Sequence, residues 1–167
     1  MVAAAPPAIA ILESGLNIGD VEVGRSGTAT LTIRNDGAGP LQVTDLQSDI
    51  PDITFSETSF TVPANGEETV TVTIDPGSEG TFAGAIQVLS NDPANGILTI
   101  ALQARGILIP ADPRADFNGN AVVDFPDFLE FAAAFGSAES KYDLNSNGTV
   151  DFSDFLTFAD AFGKPVG

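Results

Sequence analysis

The C-terminal third of the chain is an internal duplication, and this feature constrains the fold more than any other. Residues 116–137 align with residues 143–164 at an offset of 27, with 14 identities in 22 columns. Both copies contain the pattern D-x-N-x-N-x-x-V-D-F-x-D-F-L-x-F-A-x-A-F-G. A loop rich in Asp and Asn therefore precedes an apolar segment of helical period twice in this chain.

Each loop spaces its oxygen donors like a 12-residue calcium loop of the EF-hand type, D-x-[DN]-x-[DN]-G-x5-E. Ca²⁺ takes six to eight hard oxygen ligands, from positions 1, 3, 5, 7 (a backbone carbonyl), 9 (often through water) and 12. In copy one, these positions are Asp116, Asn118, Asn120, Val122, Asp124 and Asp127. In copy two, they are Asp143, Asn145, Asn147, Thr149, Asp151 and Asp154. The pattern predicts two bound Ca²⁺ ions, with no catalytic residue and no other cofactor.

The two loops differ at position 6, where the chain turns sharply and glycine is usual. Loop two has Gly148 there, whereas loop one has Ala121 and carries its glycine at 119. Because a left-handed backbone costs a non-glycine residue about 1–2 kcal/mol, we expect the second site to bind Ca²⁺ more tightly. Val123 and Val150 occupy position 8, where we expect a short β-bridge between the loops.

A helix is predicted after each loop. Asp124 and Asp151 are the expected N-caps, and Gly136 and Gly163 the expected C-terminal stops. The apolar residues on one broad face of each helix are expected to form a shared core, with a partner-binding surface as the alternative. These residues are Phe125, Phe128, Leu129, Ala132 and Phe135, then Phe152, Phe155, Leu156, Ala159 and Phe162, with Phe131 and Phe158 widening the two stripes.

No entering helix is expected before either loop. Pro110 and Pro113 prevent one before Asp116, and residues 138–142 are too few for more than a turn. A duplicated loop plus exiting helix (an F-hand), with Asp at position 12, resembles the type I dockerin pattern over about residues 114–167. The resemblance implies docking to a cohesin-like receptor. Positions 10 and 11, small hydroxylated residues in cellulosomal dockerins, are here Phe125-Pro126 and Phe152-Ser153.

The first hundred residues have a different period. Apolar and polar residues alternate in segments such as 28–34, 70–74, 85–88 and 98–102, which are rich in Thr, Val and Ile. Turn residues separate these segments, and the acidic side chains lie mainly in those turns, as expected of solvated loops. About seven short strands predict an immunoglobulin-like antiparallel β-sandwich.

Particular segments of this region resemble the Hydin-type, choice-of-anchor-like immunoglobulin-like domain of bacterial surface proteins. They are residues 16–24 (LNIGDVEVG), 31–37 (LTIRNDG), 40–43 (PLQV), 62–66 (VPANG), 74–76 (IDP), 80–84 (GTFAG) and 90–93 (SNDP). The resemblance implies a spacer or interaction module.

The domain organisation follows from these periods: a sandwich over 1–106, a connector over 107–114 and the duplicated module over 115–167. The apolar residues 107–109 indicate contact between the two domains. The first seven residues have neither the basic end nor the apolar core of a signal peptide, so we interpret them as the start of an excised fragment that lacks its native targeting segment.

Charge and composition exclude several function classes. A net charge of −17 makes nucleic acid and anionic membranes poor partners, and no apolar run is long enough for a membrane helix. The absence of Cys and His removes thiol nucleophiles, Ser-His-Asp triads and thiolate or imidazole zinc sites. The chain is therefore not expected to be an enzyme.

These observations predict a non-catalytic, calcium-binding structural or interaction module from an extracellular or cell-surface bacterial protein. Calcium would fold the C-terminal repeats and dock them on the sandwich or on a partner. One alternative is a true dockerin that anchors a larger secreted protein to a cohesin-like receptor. A remote alternative is calcium-triggered self-cleavage at Asp112-Pro113.

Overall fold

The computed structural model of the protein describes residues 5–167, so the first four residues of the segment interpreted as a fragment start lie outside the described range. The chain divides into two compact units, one ending at Leu108 and one starting at Ile109, called here the sandwich unit and the loop-helix unit. Leu108 and Ile109 are each about half exposed. No helix within the described range is long and apolar enough to cross a membrane.

The described part of the sandwich unit contains nine strands in two sheets. The strands are β1 (Ile9–Ile11), β2 (Leu16–Glu22), β3 (Gly27–Asn35), β4 (Leu41–Ser48), β5 (Ile53–Phe55), β6 (Phe60–Val62), β7 (Glu67–Ile74), β8 (Gly80–Ser90) and β9 (Ile97–Ile107). One sheet has the order β1-β3-β7-β5, and the other has the order β2-β9-β8-β4-β6. The predicted two-sheet sandwich is confirmed.

The alternating sequence pattern explains how the two sheets pack. In β3, Leu31 and Ile33 are fully buried, whereas Thr28 and Thr30 are exposed. Leu31 lies opposite Val70 of β7, which is also fully buried. Each Val, Leu or Ile buried in this way stabilises the fold by roughly 1.5–3 kcal/mol.

One strand pair departs from the antiparallel expectation. β2 pairs with β9 in parallel, from Leu16 opposite Leu102 to Glu22 opposite Ile107, while every other described strand pair is antiparallel. Period-two alternation shows which face a residue occupies but not which strand lies beside it. The alternation therefore did not predict the direction of this strand pair.

Asn35 is a fully buried polar side chain at the end of β3. Its Nδ2 donates to the carbonyls of Gly39 at 2.8 Å and Val62 at 3.1 Å. Its Oδ1 accepts from the backbone N–H groups of Ala8 at 3.1 Å and Gly37 at 3.0 Å. Asn35 therefore satisfies backbone groups of three separate segments, which is the condition under which a buried amide stabilises a fold.

Asp92 is buried, whereas the acidic residues of this unit were expected to be solvated. It is 5% exposed. Its Oδ2 accepts from the N–H of Ile9 at 2.9 Å, and its Oδ1 from the N–H of Ala94 at 2.8 Å. These hydrogen bonds, that from Ile9 first, lower the pKa of Asp92. The carboxylate holds the start of β1 to the β8–β9 turn.

The loop-helix unit contains α1 (Phe125–Ala134) and α2 (Phe152–Ala161), preceded by one 3₁₀ turn at Pro113–Ala115. Residues 138–142 contain only a turn, at 140–142, so neither loop is preceded by an entering helix in the described chain. Asp124 and Asp151 are the N-caps. Just after the helices, Gly136 and Gly163 have φ values of 84° and 80°, the left-handed conformation expected of C-terminal stops.

The expected β-bridge between Val123 and Val150 is not formed. Val123 instead exchanges backbone hydrogen bonds of 2.8 and 3.1 Å with residues 163–164, which follow α2. Val150 exchanges two bonds of 2.8 Å with residues 136–137, which follow α1. Each loop is therefore tied to the end of the helix that belongs to the other repeat.

The core of the loop-helix unit is centred on Phe131 and Phe158. Each is 1% exposed, and their rings stack at 5.5 Å between centroids with an interplanar angle of 11°. The expected core stripe is wrong for eight residues. Ala132 and Ala159 are exposed, and six larger side chains are 47–63% exposed: Phe125, Leu129, Phe135, Phe152, Leu156 and Phe162. Each helix buries the side that has its position-12 aspartate, Asp127 or Asp154, so the apolar stripe did not show which of its residues would be buried.

Candidate metal-binding loops

Asp116, at position 1, organises the first loop. Its Oδ1 accepts from the N–H groups of Gly119 at 2.8 Å and Asn120 at 3.1 Å, and its Oδ2 from that of Ala121 at 2.9 Å. The backbone wraps around the carboxylate because Gly119 and Ala121 have φ values of 74° and 72°.

The two Asn side chains continue this network. Asn118 Oδ1 accepts from the N–H of Asn120 at 3.0 Å, and Asn120 Oδ1 accepts from that of Val122 at 2.9 Å. Asn120 Nδ2 also donates to Asp124 Oδ2 at 3.2 Å. The residues predicted for positions 3, 5, 7 and 9 are thus linked directly.

Asp127, at position 12, closes the loop from α1 and is fully buried. Its Oδ1 accepts from the N–H of Asn118 at 3.0 Å, and its Oδ2 from that of Asp124 at 2.8 Å. The second of these bonds is half of a capping box. One carboxylate therefore fixes both the loop and the start of the helix.

The second loop repeats the arrangement at its start. Asp143 accepts from the N–H groups of Asn147 at 3.1 Å and Gly148 at 2.8 Å. Asn147 Oδ1 then accepts from the N–H of Thr149 at 2.9 Å. The two predicted donor sets therefore have the same local organisation.

The end of loop two also matches loop one. Asp154 is fully buried, and it accepts from the N–H groups of Asn145 at 3.0 Å and Asp151 at 2.9 Å. Asn145 Nδ2 additionally donates to Ser153 Oγ at 2.6 Å. Ser153 is a contact that the ligand spacing did not predict.

Position 11 makes the two loops differ. Ser153 donates both its N–H, at 2.9 Å, and its hydroxyl, at 2.5 Å, to Asp151 Oδ1, and these bonds lower the pKa of Asp151. Loop one has Pro126 at this position, which has neither donor. Asp124 Oδ1 is accordingly buried with no hydrogen-bond partner among the described residues.

Position 4 changes the expected contrast in backbone strain. Ala121 is left-handed as expected, but in loop two Ser146 also has a positive φ, of 63°. Gly119 and Gly148 occupy the other left-handed positions. Each loop therefore has one glycine and one non-glycine residue in this conformation, so Ala121 is not an excess cost to loop one.

The donor set fits a hard cation. Within residues 5–167, no ion pair reaches the buried carboxylates of Asp127 or Asp154. In the same range, no three His, Cys, Asp or Glu side chains form a metal-holding group. Two of the five side-chain donors in each loop are Asn, and the carboxylate oxygens point largely at backbone N–H groups. A cation would offset the buried charge and give Asp124 Oδ1 a partner.

Comparison with known proteins concerns the sandwich unit. The model of the ASH family (Abnormal spindle-like microcephaly-assoc'd, ASPM-SPD-2-Hydin) matches residues 12–96, about half of the 167 residues. The chain belongs to the ASH family. The expected Hydin-type resemblance is thereby confirmed, and the matched ASH segment ends before the first candidate ligand, Asp116. No curated protein matches the chain.

Solved structures show the same fold for the sandwich unit. The ASH/PapD-like domain of human CEP192 (PapD-like domain 7) has a TM-score of 0.54 and 17% identity, over 60% of this chain and 86% of that one. A Porphyromonas gingivalis W83 protein of unknown function has a TM-score of 0.53 and 25% identity, and this chain covers 49% of it. A type II cohesin-dockerin domain from Bacteroides cellolosolvens has 33% identity over 34% of this chain and 95% of that one, with a TM-score of only 0.31.

The Asp112-Pro113 bond lies in the loop-helix unit, where the Asp112 carboxylate contacts Arg114. The Asp112 carboxylate accepts from Arg114 Nη2 at 2.6 Å and from the Arg114 N–H at 2.9 Å. The Arg114 side chain is the main cause of the lowered pKa of Asp112. A carboxylate held in this way favours a structural turn, so self-cleavage there stays a prediction that the geometry does not support.

Proposed function

We propose that residues 109–167 form a calcium-folded module that holds two Ca²⁺ ions, one in each duplicated loop. The whole chain would act as a non-catalytic structural or interaction module of an extracellular or cell-surface protein. In loop one, Asp116, Asn118, Asn120, Asp124 and Asp127 would hold the ion with the carbonyl of Val122. In loop two, Asp143, Asn145, Asn147, Asp151 and Asp154 would do so with the carbonyl of Thr149.

The observation that carries the proposal is the pair of buried carboxylates at position 12. Asp127 and Asp154 are both 0% exposed, and no described basic side chain neutralises either one. Two backbone N–H groups contact each of these carboxylates, as they do that of Asp92 in the sandwich unit. Asp127 and Asp154 differ from Asp92 because each closes a loop of further oxygen donors, where a cation can add the compensating charge that a buried carboxylate favours. A divalent cation in each loop supplies that charge.

The ligand types favour Ca²⁺ over softer metals. The predicted donors are carboxylate, amide and carbonyl oxygens, which suit hard cations. Two neutral Asn side chains in each loop reduce the ligand charge, and affinities then fall toward those of extracellular modules. This supports a site that works at the millimolar calcium concentration outside cells.

The sandwich unit would serve as a spacer or platform. Asn35 and Asp92, its two fully or nearly buried polar side chains, are engaged by backbone groups of the same unit. This use of buried polar groups supports a structural role. Contact between the two units stays a prediction, tested by whether calcium raises the melting temperature of the sandwich unit as well.

The test is calorimetric titration of the metal-free full chain with Ca²⁺. We expect two ions per wild-type chain and one ion for either Asp127→Ala or Asp154→Ala, because each change removes one loop's closing carboxylate. Glu139→Ala is a matched control, since Glu139 is an exposed acidic residue of the same unit outside both loops. It should still bind two ions.

The contradicting result is equally specific. If the wild-type chain binds no Ca²⁺ at millimolar concentrations while its sandwich is folded, the calcium proposal is wrong. If Asp127→Ala and Asp154→Ala both retain two ions, Ca²⁺ binds elsewhere and the loop assignment is wrong.

A second candidate function is that of a true dockerin, which would anchor a larger protein to a cohesin-like receptor. The exposed apolar faces of α1 and α2 support partner binding. The large residues Phe125 and Phe152 at position 10 differ from the small hydroxylated residues of cellulosomal dockerins. Binding of the calcium-loaded chain to a purified cohesin would support this candidate, and its absence would favour a different partner.

A further inference from the structure

Six large apolar side chains on or just after the two helices are exposed, and together they are called here the aromatic face: Phe125, Leu129, Phe135, Phe152, Leu156 and Phe162. Each is at least 47% exposed. The members correspond pairwise in the two repeats, so the duplication places each residue type twice. Clustered exposed apolar side chains of this size mark interaction sites more often than scattered ones do.

Ring contacts hold the aromatic face on a rigid support. Phe125 contacts Phe128 at 5.9 Å between centroids, and Phe162 contacts Phe158 at 5.9 Å. Phe128 and Phe158 are 6.3 Å apart, which connects the two exposed rings through the core. The side chains of Phe125, Phe128, Phe155, Phe158, Ala159 and Phe162 line an apolar cleft.

The second repeat provides the corresponding ring contacts. Phe152 contacts Phe155 at 5.8 Å, Phe155 contacts Phe131 at 6.3 Å, and Phe131 contacts Phe135 at 6.0 Å. The stacked Phe131–Phe158 pair joins the two series. A face supported in this way loses little conformational entropy when a partner binds, which favours affinity.

Charge determines which kind of partner fits. Neither helix contains Lys or Arg, whereas together they contain four acidic residues. The loop-helix unit has ten acidic and three basic side chains. The three basic residues form ion pairs within the unit, Arg114 with Asp112, Lys141 with Glu130 and Lys164 with Asp160.

A second copy of the chain is therefore a poor occupant, because both surfaces would have the same sign of charge. Two Ca²⁺ ions would change the formal charge of the unit only from −7 to −3. Complementary potentials steer association and suppress wrong partners. The chemistry that fits is an apolar protein surface surrounded by basic residues.

We propose that the aromatic face docks a protein partner that presents large apolar side chains within a surround of Lys and Arg. This inference rests on the proposed calcium function, since both helices begin at loop residues, Asp124 and Asp151. Metal-free chain, with its helices lost, would not display the face. Calcium would therefore control docking through folding of the helices.

The test uses two synthetic amphipathic peptides with the same length and the same Leu and Phe pattern. One has Lys at its polar positions and the other has Glu. Each is titrated into the calcium-loaded full chain at physiological salt, where exposed charges are screened beyond about 8 Å. We expect the Lys peptide to bind, the Glu peptide not to bind, and chelation to abolish binding.

Matched variants test whether the Lys peptide binds at the aromatic face. Leu129→Gln combined with Leu156→Gln should weaken binding of the Lys peptide by at least about tenfold, because the partner would no longer bury these two exposed apolar side chains. Glutamine keeps a high helix propensity. Ile97→Gln is the control, since Ile97 is an equally exposed apolar residue of the sandwich unit, and it should leave binding unchanged.

Calcium stoichiometry, measured on the same samples, separates the two proposals. Two bound ions without binding of the Lys peptide would overturn the docking proposal alone, whereas no bound calcium would overturn the proposed function and docking with it. Equal binding of both peptides, or no effect of the double change, would also overturn docking. Sedimentation showing a calcium-loaded dimer that the double change dissociates would identify a second copy as the occupant and overturn the basic partner.

Discussion

The two units of this chain surround their buried polar groups with apolar cores of different size. The sandwich unit has nineteen buried apolar residues in one core, and its buried Asn35 and Asp92 are engaged by backbone groups. The loop-helix unit has nine buried apolar residues in its core together with two buried carboxylates, Asp127 and Asp154, that no described basic residue pairs. The first unit thus has one buried carboxylate in a large core, whereas the second has two buried carboxylates in a core near the lower limit of size.

This difference explains why calcium should matter to one unit and not to the other. The sandwich unit has one buried carboxylate, Asp92, which accepts two backbone N–H groups and belongs to no duplicated loop of oxygen donors. A small unit with buried unpaired carboxylates couples metal binding to folding, and its binding free energy is then largely folding free energy. The predictions below test how far this contrast extends.

The largest expected effect is unfolding of the loop-helix unit in a chelator. Without Ca²⁺, the buried charges of Asp127 and Asp154 oppose folding, so EDTA should abolish the helical circular dichroism of α1 and α2. The strand signal and the sandwich melting transition should remain. Circular dichroism with thermal melting, in EDTA and after calcium is restored, measures both.

Magnesium at the same concentration is the control, because Mg²⁺ demands a tighter octahedral geometry and loses its water reluctantly. It should restore less helix than Ca²⁺. Helicity that is unchanged in EDTA would show that the nine-residue apolar core suffices, and the contrast between the units would disappear.

The sequence was most informative where one pattern determined one structural property. Alternation assigned Leu31 and Ile33 to the inside of β3, and the duplication aligned Asp116 with Asp143 and the two capping aspartates. It was least informative where several structures satisfy the same pattern. The parallel β2–β9 pair and the buried Asp92 depend on which distant segments become neighbours, and a single sequence does not encode that locally.

The helices show the same limit more sharply. The apolar stripe of each helix is wider than the side that packs, so its pattern did not distinguish Phe131 and Phe158 from Phe125 or Phe152. Their burial was set by packing against the opposite repeat and against Phe117. The left-handed Ser146 was missed because the calcium-loop pattern marks position 6, not position 4.

A smaller effect, confined to the sandwich unit, is expected from Asp92→Ala. The change leaves the N–H groups of Ile9 and Ala94 without their acceptor. An unsatisfied buried donor costs about 1–3 kcal/mol. Urea denaturation should show this loss equally with Ca²⁺ and with EDTA.

Asp20→Ala is the control, since Asp20 is an exposed acidic residue on β2, and it should change stability little. A loss for Asp92→Ala that appears only with Ca²⁺ would mean that the two units are not energetically separate.

The Asp92 carboxylate should also give the sandwich a specific pH dependence. Its folded-state pKa is lowered by the N–H groups of Ile9 and Ala94, so its ionised form is favoured by folding. Its contribution is complete above the unfolded pKa of about 3.9 and is lost as the pH falls through the lower folded value. The stability difference between wild type and Asp92→Asn in EDTA should therefore shrink below about pH 4. A difference that grows on acidification would show that the folded pKa is raised instead.

The smallest expected effect concerns the two loops, where the strain argument first suggested a tighter second site. Since Ala121 and Ser146 have similar left-handed φ values, of 72° and 63°, Ala121→Gly and Ser146→Gly should each relieve a similar strain. Relief of about 1–2 kcal/mol is partly cancelled by the greater chain entropy of glycine, about 0.5–1 kcal/mol. Each change should then tighten its own site by about two- to fivefold. Calorimetric titration measures both, and Ser140→Gly, in an exposed turn outside the loops, should change neither. If only Ala121→Gly tightens calcium binding, loop two tolerates Ser146 without cost and the original ranking of the sites stands. If both tighten equally and the wild-type affinities still differ, the difference lies at position 11, where Ser153 satisfies Asp151 and Pro126 leaves Asp124 Oδ1 without a donor.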